Sequence, residues 1–162
     1  MSISKGDKLP AATLIHLGGD GPEPVDLAAR TAGRKVVIFA VPGAYTGVCT
    51  NAHVPSFIRT ADKFVAKGVE EIMCISVNDP FVMSAWGEST GAAAAGITML
   101  ADAESALTKA MGMTFTAAPA GLIDRSKRYA MLVEDGTITL LNEEESPGEC
   151  DISAGEALLA AM

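Results

Sequence analysis

Hydrophobic positions along the chain alternate between short continuous runs and longer, helically spaced stretches. Residues 13–17 and 25–27 read as two short strands around the turn signal Gly18–Gly19–Asp20–Gly21–Pro22, with a helical turn over 27–32. Residues 35–41 are continuously apolar after the first lysine, rich in β-branched side chains and closed by Pro42–Gly43, which predicts a buried strand. Beyond Cys49, Val54, Phe57, Ile58, Ala61, Phe64 and Val65 recur at helical spacing until Gly68. Pro55 interrupts that pattern: it either kinks the helix or marks where its regular part begins. Residues 71–77 repeat the central-strand pattern. Asp79 then caps a helix with Pro80 at its first position, carrying Phe81, Val82, Ala85 and Trp86 and fading near Gly91.

Residues 98–100 predict a short strand, and 102–111 a helix ending at Gly112. Residues 113–127, with Pro119 and Gly121, read as irregular. The runs 128–134 and 137–141 flank Asp135–Gly136, a strong hairpin signal. An acidic loop over 142–151, with Glu143–Glu145 solvated, leads to Ser153 and Glu156, the two ends of a capping box for a terminal helix. From residue 35 the order is β-α-β-α-β-α-β-β-α. Parallel βαβ units plus an antiparallel hairpin imply an α/β fold of thioredoxin-like type: a central mixed sheet with helices on both faces. At 162 residues, 49 % of them hydrophobic, this is one domain over 1–162 with a sizeable core.

The net charge of −8 argues against nucleic acid or an anionic membrane surface as partner, since both need a basic face. No run approaches the ~20 apolar residues of a membrane span. The N-terminus shows neither signal nor transit pattern, so a cytoplasmic location is expected. Three cysteines do not make a disulfide framework, and two histidines without a CxxC pair argue against a metal site; no cofactor is implied.

Candidate chemistry centres on residues 36–49, where a strand, a Pro-Gly turn and a threonine deliver Cys49 to a helix start. A free thiol titrates near about 8.5 and reacts as thiolate. A helix N-terminus favours that anion. Thr46 can set a hydroxyl beside the sulfur as donor and acceptor, Pro42 can screen it from water, and Gly43 and Gly47 allow close backbone approach. An inert buried thiol is the competing reading. The Pro-x-x-x-Thr-x-x-Cys spacing after a central strand favours the reactive one.

The segment PGAYTGVCTNAHVPSF resembles the active-site signature of the peroxiredoxins, in particular their type II (peroxiredoxin-five) group. KGVEEIMCISVNDPFVMSAW and RSKRYAMLVEDGTITLLN are similar to the same group, so the resemblance covers most of residues 35–142. It implies a thiol peroxidase that reduces hydrogen peroxide and alkyl hydroperoxides through a sulfenic acid on Cys49. Thr46 matches the orienting threonine, Pro42 the shielding proline, and Arg128 the arginine that supports the thiolate and the departing oxygen. Residue type and placement alone do not single out Arg128 from Arg30, Arg34, Arg59 and Arg125. Many members carry Pro at the position of Gly47 and Phe at that of Tyr45, a difference that bears on loop rigidity.

The sulfenic acid must be resolved by a thiol. Cys74, 25 residues after Cys49, sits where plant-like type II members carry a second cysteine, though its apolar strand also reads as an inert core site. Cys150 lies in a loop whose flanking carboxylates raise its pKa. External resolution by glutathione or glutaredoxin is the third route and the one the resemblance favours, with thioredoxin as reductant if Cys74 or Cys150 resolves. The resemblance also implies a homodimer. Competing functions are a disulfide reductase, which lacks its CxxC; a hydrolase pairing Cys49 with His53; and a redox sensor that does not turn over. His53 otherwise reads as a hydrogen-bonded or solvated helix residue, His16 has no role, and Phe81 and Trp86 pack core, subunit surface or the site wall.

Overall fold

The computed structural model describes residues 2–162. A hairpin of β1 (Thr13–Gly18) and β2 (Gly21–Asp26) opens the chain, followed by α1 (Leu27–Thr31) and β3 (Lys35–Val41). Then come α2 (Val54–Ala66), β4 (Glu71–Ser76), α3 (Pro80–Thr90), β5 (Thr98–Ala101) and α4 (Ala106–Ala110). A small hairpin of β6 (Thr114–Ala117) and β7 (Leu122–Ser126) precedes β8 (Tyr129–Glu134), β9 (Thr137–Glu143) and α5 (Gly155–Ala161).

The main sheet runs β2-β1-β5-β4-β3-β8-β9. Its centre, β3, β4 and β5, is parallel, while β1, β2, β8 and β9 join antiparallel. Central strands are apolar at every position because both faces are covered. Val37, Phe39 and Val41 of β3 pack with Phe57 and Phe64 of α2, Trp86 of α3 and Leu158 of α5. Val36, Ile38 and Ala40 face the other way, toward Leu27 of α1, Leu107 of α4 and Met111. The expected thioredoxin-like mixed sheet with helices on both faces is therefore present. Among the described residues, no helix is long and apolar enough to cross a membrane.

Local signals set most elements. Asp79 Oδ1 accepts from Val82 N at 2.8 Å and Pro80 stands in the first turn of α3. Asp135 and Gly136 both take positive φ, 50° and 75°, as a two-residue turn between β8 and β9 requires. Pro22 and Pro24 are tolerated in β2 because it is an edge strand, with one row of N–H groups unneeded. That strand starts at Gly21, earlier than the expected 25–27.

Four expectations are corrected. Residues 113–127 are not irregular, for β6 and β7 pair antiparallel around Pro119 and Gly121. The helix expected from 102 begins at Ala106, because buried Asp102 accepts from the N–H groups of Leu107 and Thr108 and holds the preceding turn. Ser153 does not cap α5: its hydroxyl donates to Glu144, and Ser56 Oγ accepts from Gly155 N instead, at 2.9 Å. Glu144 is not solvated but only 6 % exposed.

Candidate active site

β3 ends at Val41, and Pro42, Gly43, Ala44 and Tyr45 turn the chain so that a helix begins at Gly47. Cys49 sits in its first turn. Residues Cys49–His53 form a π-turn, with Val54 N–H reaching back five residues to Cys49 O. Pro55 explains this. It has no N–H for an ordinary fourth-residue bond and its ring crowds that carbonyl, so a wider turn precedes it and regular helix begins at Val54.

Cys49 is fully buried, and its Sγ receives a hydrogen bond from Arg128 Nη2 at 3.0 Å. Arg128 is 2 % exposed and stands just before β8, the strand paired with β3. This pairing brings it to the thiol across 79 residues of sequence. Its Nε and Nη2 also donate to Pro147 O, at 3.2 and 3.0 Å, and its Nη1 to His53 Nδ1 at 3.0 Å. Pro42, Thr46, Gly47, Phe115, Leu122 and Arg128 line a cavity of about 260 Å³, which thus shares Arg128 with the sulfur. A roomier cavity of about 370 Å³ lies at Asp102 and Glu104, but neither Arg128 nor Pro42 nor Thr46 lines it, so volume alone does not pick the site.

Thr46 does not donate to the sulfur. Its hydroxyl proton goes to Gly43 O at 2.7 Å, which leaves its oxygen as an acceptor only. Gly43 is tightly placed: a Cβ there would stand 2.9 Å from Arg125 Nη1 and 3.2 Å from Thr46 Cγ2. A Cβ at Gly47, in contrast, meets nothing within 4 Å, so close approach does not require that glycine. As it occupies the first helical position, Gly47→Pro is expected to raise unfolding free energy by about 0.4–1 kcal/mol through the unfolded chain. Equal or lower denaturation midpoints in urea count against this.

His53 cannot be a base for Cys49. It is fully buried, its Nε2–H donates to Ser153 O at 3.0 Å, and its Nδ1 lone pair is taken by Arg128. Burial first, and the Arg128 charge second, push its pKa down to about 3 against the pull of the Ser153 carbonyl. The hydrolase pairing therefore has no chemical basis here.

The other two thiols are not bonded to Cys49. Cys74 lies on β4 opposite Phe39 and Met99 of its neighbouring strands, in the same core layer as Cys49. Burial drives its pKa well up, and the Cys49 charge adds to this while Arg128 opposes it. Cys150 is half-buried beside Ser153; burial raises its thiol pKa, and Glu144 and Asp151 act in the same direction. Trp86 is buried and its Nε1 donates to Thr50 Oγ1 at 3.1 Å, next to the thiol, whereas Phe81 is 60 % exposed. Three residues escaped the sequence reading: Arg125, whose Nη1 donates to Pro42 O at 3.3 Å, together with Pro147 and Glu144. No local pattern marks them, because each acts through a partner outside its own turn, from 7 residues away for Glu144 to 83 for Arg125.

A thioredoxin-like sheet that offers one thiol, under a guanidinium and without a CxxC partner, defines a thiol enzyme distinct from the disulfide reductases. Comparison with known proteins narrows the class. The Redoxin family matches residues 4–159. The chloroplastic peroxiredoxin-2E-2 of Oryza sativa subsp. japonica is 47 % identical, over 99 % of this chain and 73 % of that one. Prx3 from Vibrio vulnificus, solved reduced in complex with hydrogen peroxide, superposes with a TM-score of 0.91 at 46 % identity over 98 % of each chain. Peroxiredoxin 5 from Alvinella pompejana gives 0.84 at 33 % identity, over 98 % of this chain and 97 % of that one. The chain belongs to the peroxiredoxins, in their type II group, and is a thiol peroxidase.

Proposed function

We propose that Cys49 is the peroxidatic cysteine and that the protein reduces hydrogen peroxide and alkyl hydroperoxides, with glutathione or glutaredoxin restoring the thiol. The observation that carries this reading is the 3.0 Å bond from Arg128 to Cys49 Sγ, with Arg128 lining a cavity that Pro42 and Thr46 also line. In the reaction, the thiolate sulfur attacks the terminal oxygen of ROOH. The S–O bond forms as O–O breaks, sulfur loses two electrons, and RO⁻ takes a proton to leave as alcohol or water. Arg128 stabilises the charge on sulfur before the step and on the departing oxygen during it. Thr46, an acceptor only, takes the peroxide O–H as a hydrogen-bond partner and so orients it. Pro42 closes the site with a residue that has no N–H to draw water in.

Glutathione then condenses with Cys49–SOH, releasing water and leaving a mixed disulfide, and a second thiol returns Cys49 and carries the disulfide away. Two observations favour this outside route. Cys74 is sealed within the sheet and its thiol is held protonated. Cys150 has its thiol pKa raised and belongs to a segment hydrogen-bonded at both ends. Three free thiols suit a reducing compartment, the cytoplasm in this reading. A homodimer belongs to the same proposal: Ala44 N donates to Asn78 Oδ1, tying the loop of Tyr45 to the start of α3, and both Tyr45 and Phe81 are more than half exposed there.

Peptide mass spectrometry after one equivalent of hydrogen peroxide, without added thiol, tests the route. Sulfenic or sulfinic acid on Cys49 is the expected product. A Cys49–Cys74 or Cys49–Cys150 link instead would establish an internally resolved, thioredoxin-dependent cycle, and a single oxidation equivalent with no turnover on added thiol would mark a sensor.

A further inference from the structure

Among the described residues, no hydrogen-bond partner of the Arg128 guanidinium is a carboxylate. Its partners are Pro147 O, His53 Nδ1 and Cys49 Sγ. A buried guanidinium paired with a carboxylate is largely neutralised; one aimed by neutral acceptors keeps its charge for the sulfur. Both acceptors depend on the segment 144–153, which supplies Pro147 O directly and Ser153 O through His53 Nε2–H.

That segment has no regular structure, since β9 ends at Glu143 and α5 begins at Gly155. An irregular segment holds two carbonyls in place only when something closes it. Glu144 does so. Its Oε1 accepts from Asp151 N at 2.6 Å, Ser153 N at 2.8 Å and Ser153 Oγ at 2.8 Å. Its own N–H donates to Arg128 O at 3.0 Å, so the clasp is anchored on the residue it serves. Burial alone would raise the carboxyl pKa, but the Ser153 and Asp151 donors more than offset it and hold Glu144 below the usual range.

We propose that Glu144 is a positioning residue of the peroxidase reaction: by clasping segment 144–153 shut, it fixes the Pro147 and Ser153 carbonyls and thereby the direction in which Arg128 points at Cys49. The inference rests on Cys49 as the nucleophile. Glu144 touches neither substrate nor sulfur, and its effect passes entirely through Arg128.

The test is single-turnover oxidation by hydrogen peroxide, followed through Trp86, the sole tryptophan and a hydrogen-bond partner of Thr50 beside the thiol. Glu144→Gln keeps an oxygen at full reach without charge; Glu144→Asp keeps the charge and loses the reach. Glu144→Ala and Glu144→Asp are expected to slow oxidation roughly 10–100-fold, the scale of an ångström of misplacement. Glu144→Gln should stay within about threefold of wild type. In an Arg128→Met background, Glu144→Ala should add no more than about twofold, because the group being aimed is gone. Melting midpoints are measured alongside. If Glu144→Ala fails to fold, the Asp and Gln variants decide. An active Glu144→Asp with an impaired Glu144→Gln means charge and not closure, and overturns the proposal. So does a folded Glu144→Ala at the wild-type rate, or a loss that persists in full beside Arg128→Met. Cys49→Ser separates the two readings: turnover surviving there defeats the assignment of the nucleophile, whatever Glu144 does.

Discussion

Cys49→Ser is expected to bring thiol-dependent peroxide turnover to background, while Cys74→Ala and Cys150→Ser keep turning over with glutathione. A serine hydroxyl is not ionised near neutral pH and forms no stable oxidised intermediate, so the Arg128 and Thr46 groups would hold peroxide with nothing to attack it. Removing a nucleophile that acts as a unit with its neighbours costs on the order of 10⁶-fold. The serine sits in the same first turn and its oxygen can accept from Arg128, so the fold is retained. Cys74→Ala removes one buried atom from the sheet core, about 1 kcal/mol against a domain stability of roughly 5–15 kcal/mol. Steady-state peroxide consumption with glutathione and glutaredoxin distinguishes the three variants. Loss of turnover in Cys74→Ala or Cys150→Ser, with the protein still folded, would identify that residue as the resolving thiol and end the outside route.

The second large effect is on acid stability. His53 titrates at about 3 in the folded protein and near its ordinary 6.5 when unfolded. Between those values the unfolded chain binds a proton that the folded one refuses. Stability therefore rises with pH across this window and is lost as pH falls through it, by about 1.4 kcal/mol per unit. From pH 6.5, where half of the unfolded chains already carry the proton, to 4.5 the loss is roughly 2 kcal/mol, a large part of what a domain of this size possesses. The depressed carboxyls of Glu71 and Glu144 act in the same direction but lower down: their contribution is present above the unfolded carboxylate pKa and disappears as pH drops through their folded values. Urea unfolding at pH 7.0, 5.5 and 4.5 should show this slope in wild type and a much shallower one, confined to the lowest pH, in His53→Gln, which keeps a donor for Ser153 O and cannot titrate. Equal slopes in both proteins would remove His53 as the cause. The same feature accounts for the geometry: a protonated His53 would turn an N–H toward Arg128 Nη1 and push it away.

Where sequence and structure agree, the signal is short-range. The apolar run of β3 reports that both its faces are covered, Asp79–Pro80 starts α3, and Asp135–Gly136 turns β8 into β9, each through chemistry contained within a few residues. The Pro42, Thr46, Cys49 spacing belongs to the same kind, because one turn between a strand and a helix sets their relative positions. Where they differ, a distant partner outbid the local one. Ser153 and Glu156 have the capping-box spacing, yet Glu144 takes the serine hydroxyl and Ser56 serves the helix end. Pro119 and Gly121 read as breakers, and they sit at the tip of a hairpin whose pairing places Arg125 on Pro42.

By itself, then, the sequence determined the order of strands and helices, the place of a thiol at a helix start and its resemblance to the peroxiredoxins. Tertiary structure put Arg128, the arginine the resemblance implies, on that thiol, and it alone decided that His53 is an acceptor and not a base, that the Thr46 hydroxyl donates to Gly43 O, and that a buried Glu144 binds Asp151 and Ser153. The physical reason is range. Backbone preference and hydrophobic period act over a few residues, whereas a hydrogen-bond partner is chosen by whatever the packed sheet brings within 3 Å, and the bonds that join Cys49 to Arg128, Arg128 to His53 and His53 to Ser153 span 75 to 100 residues.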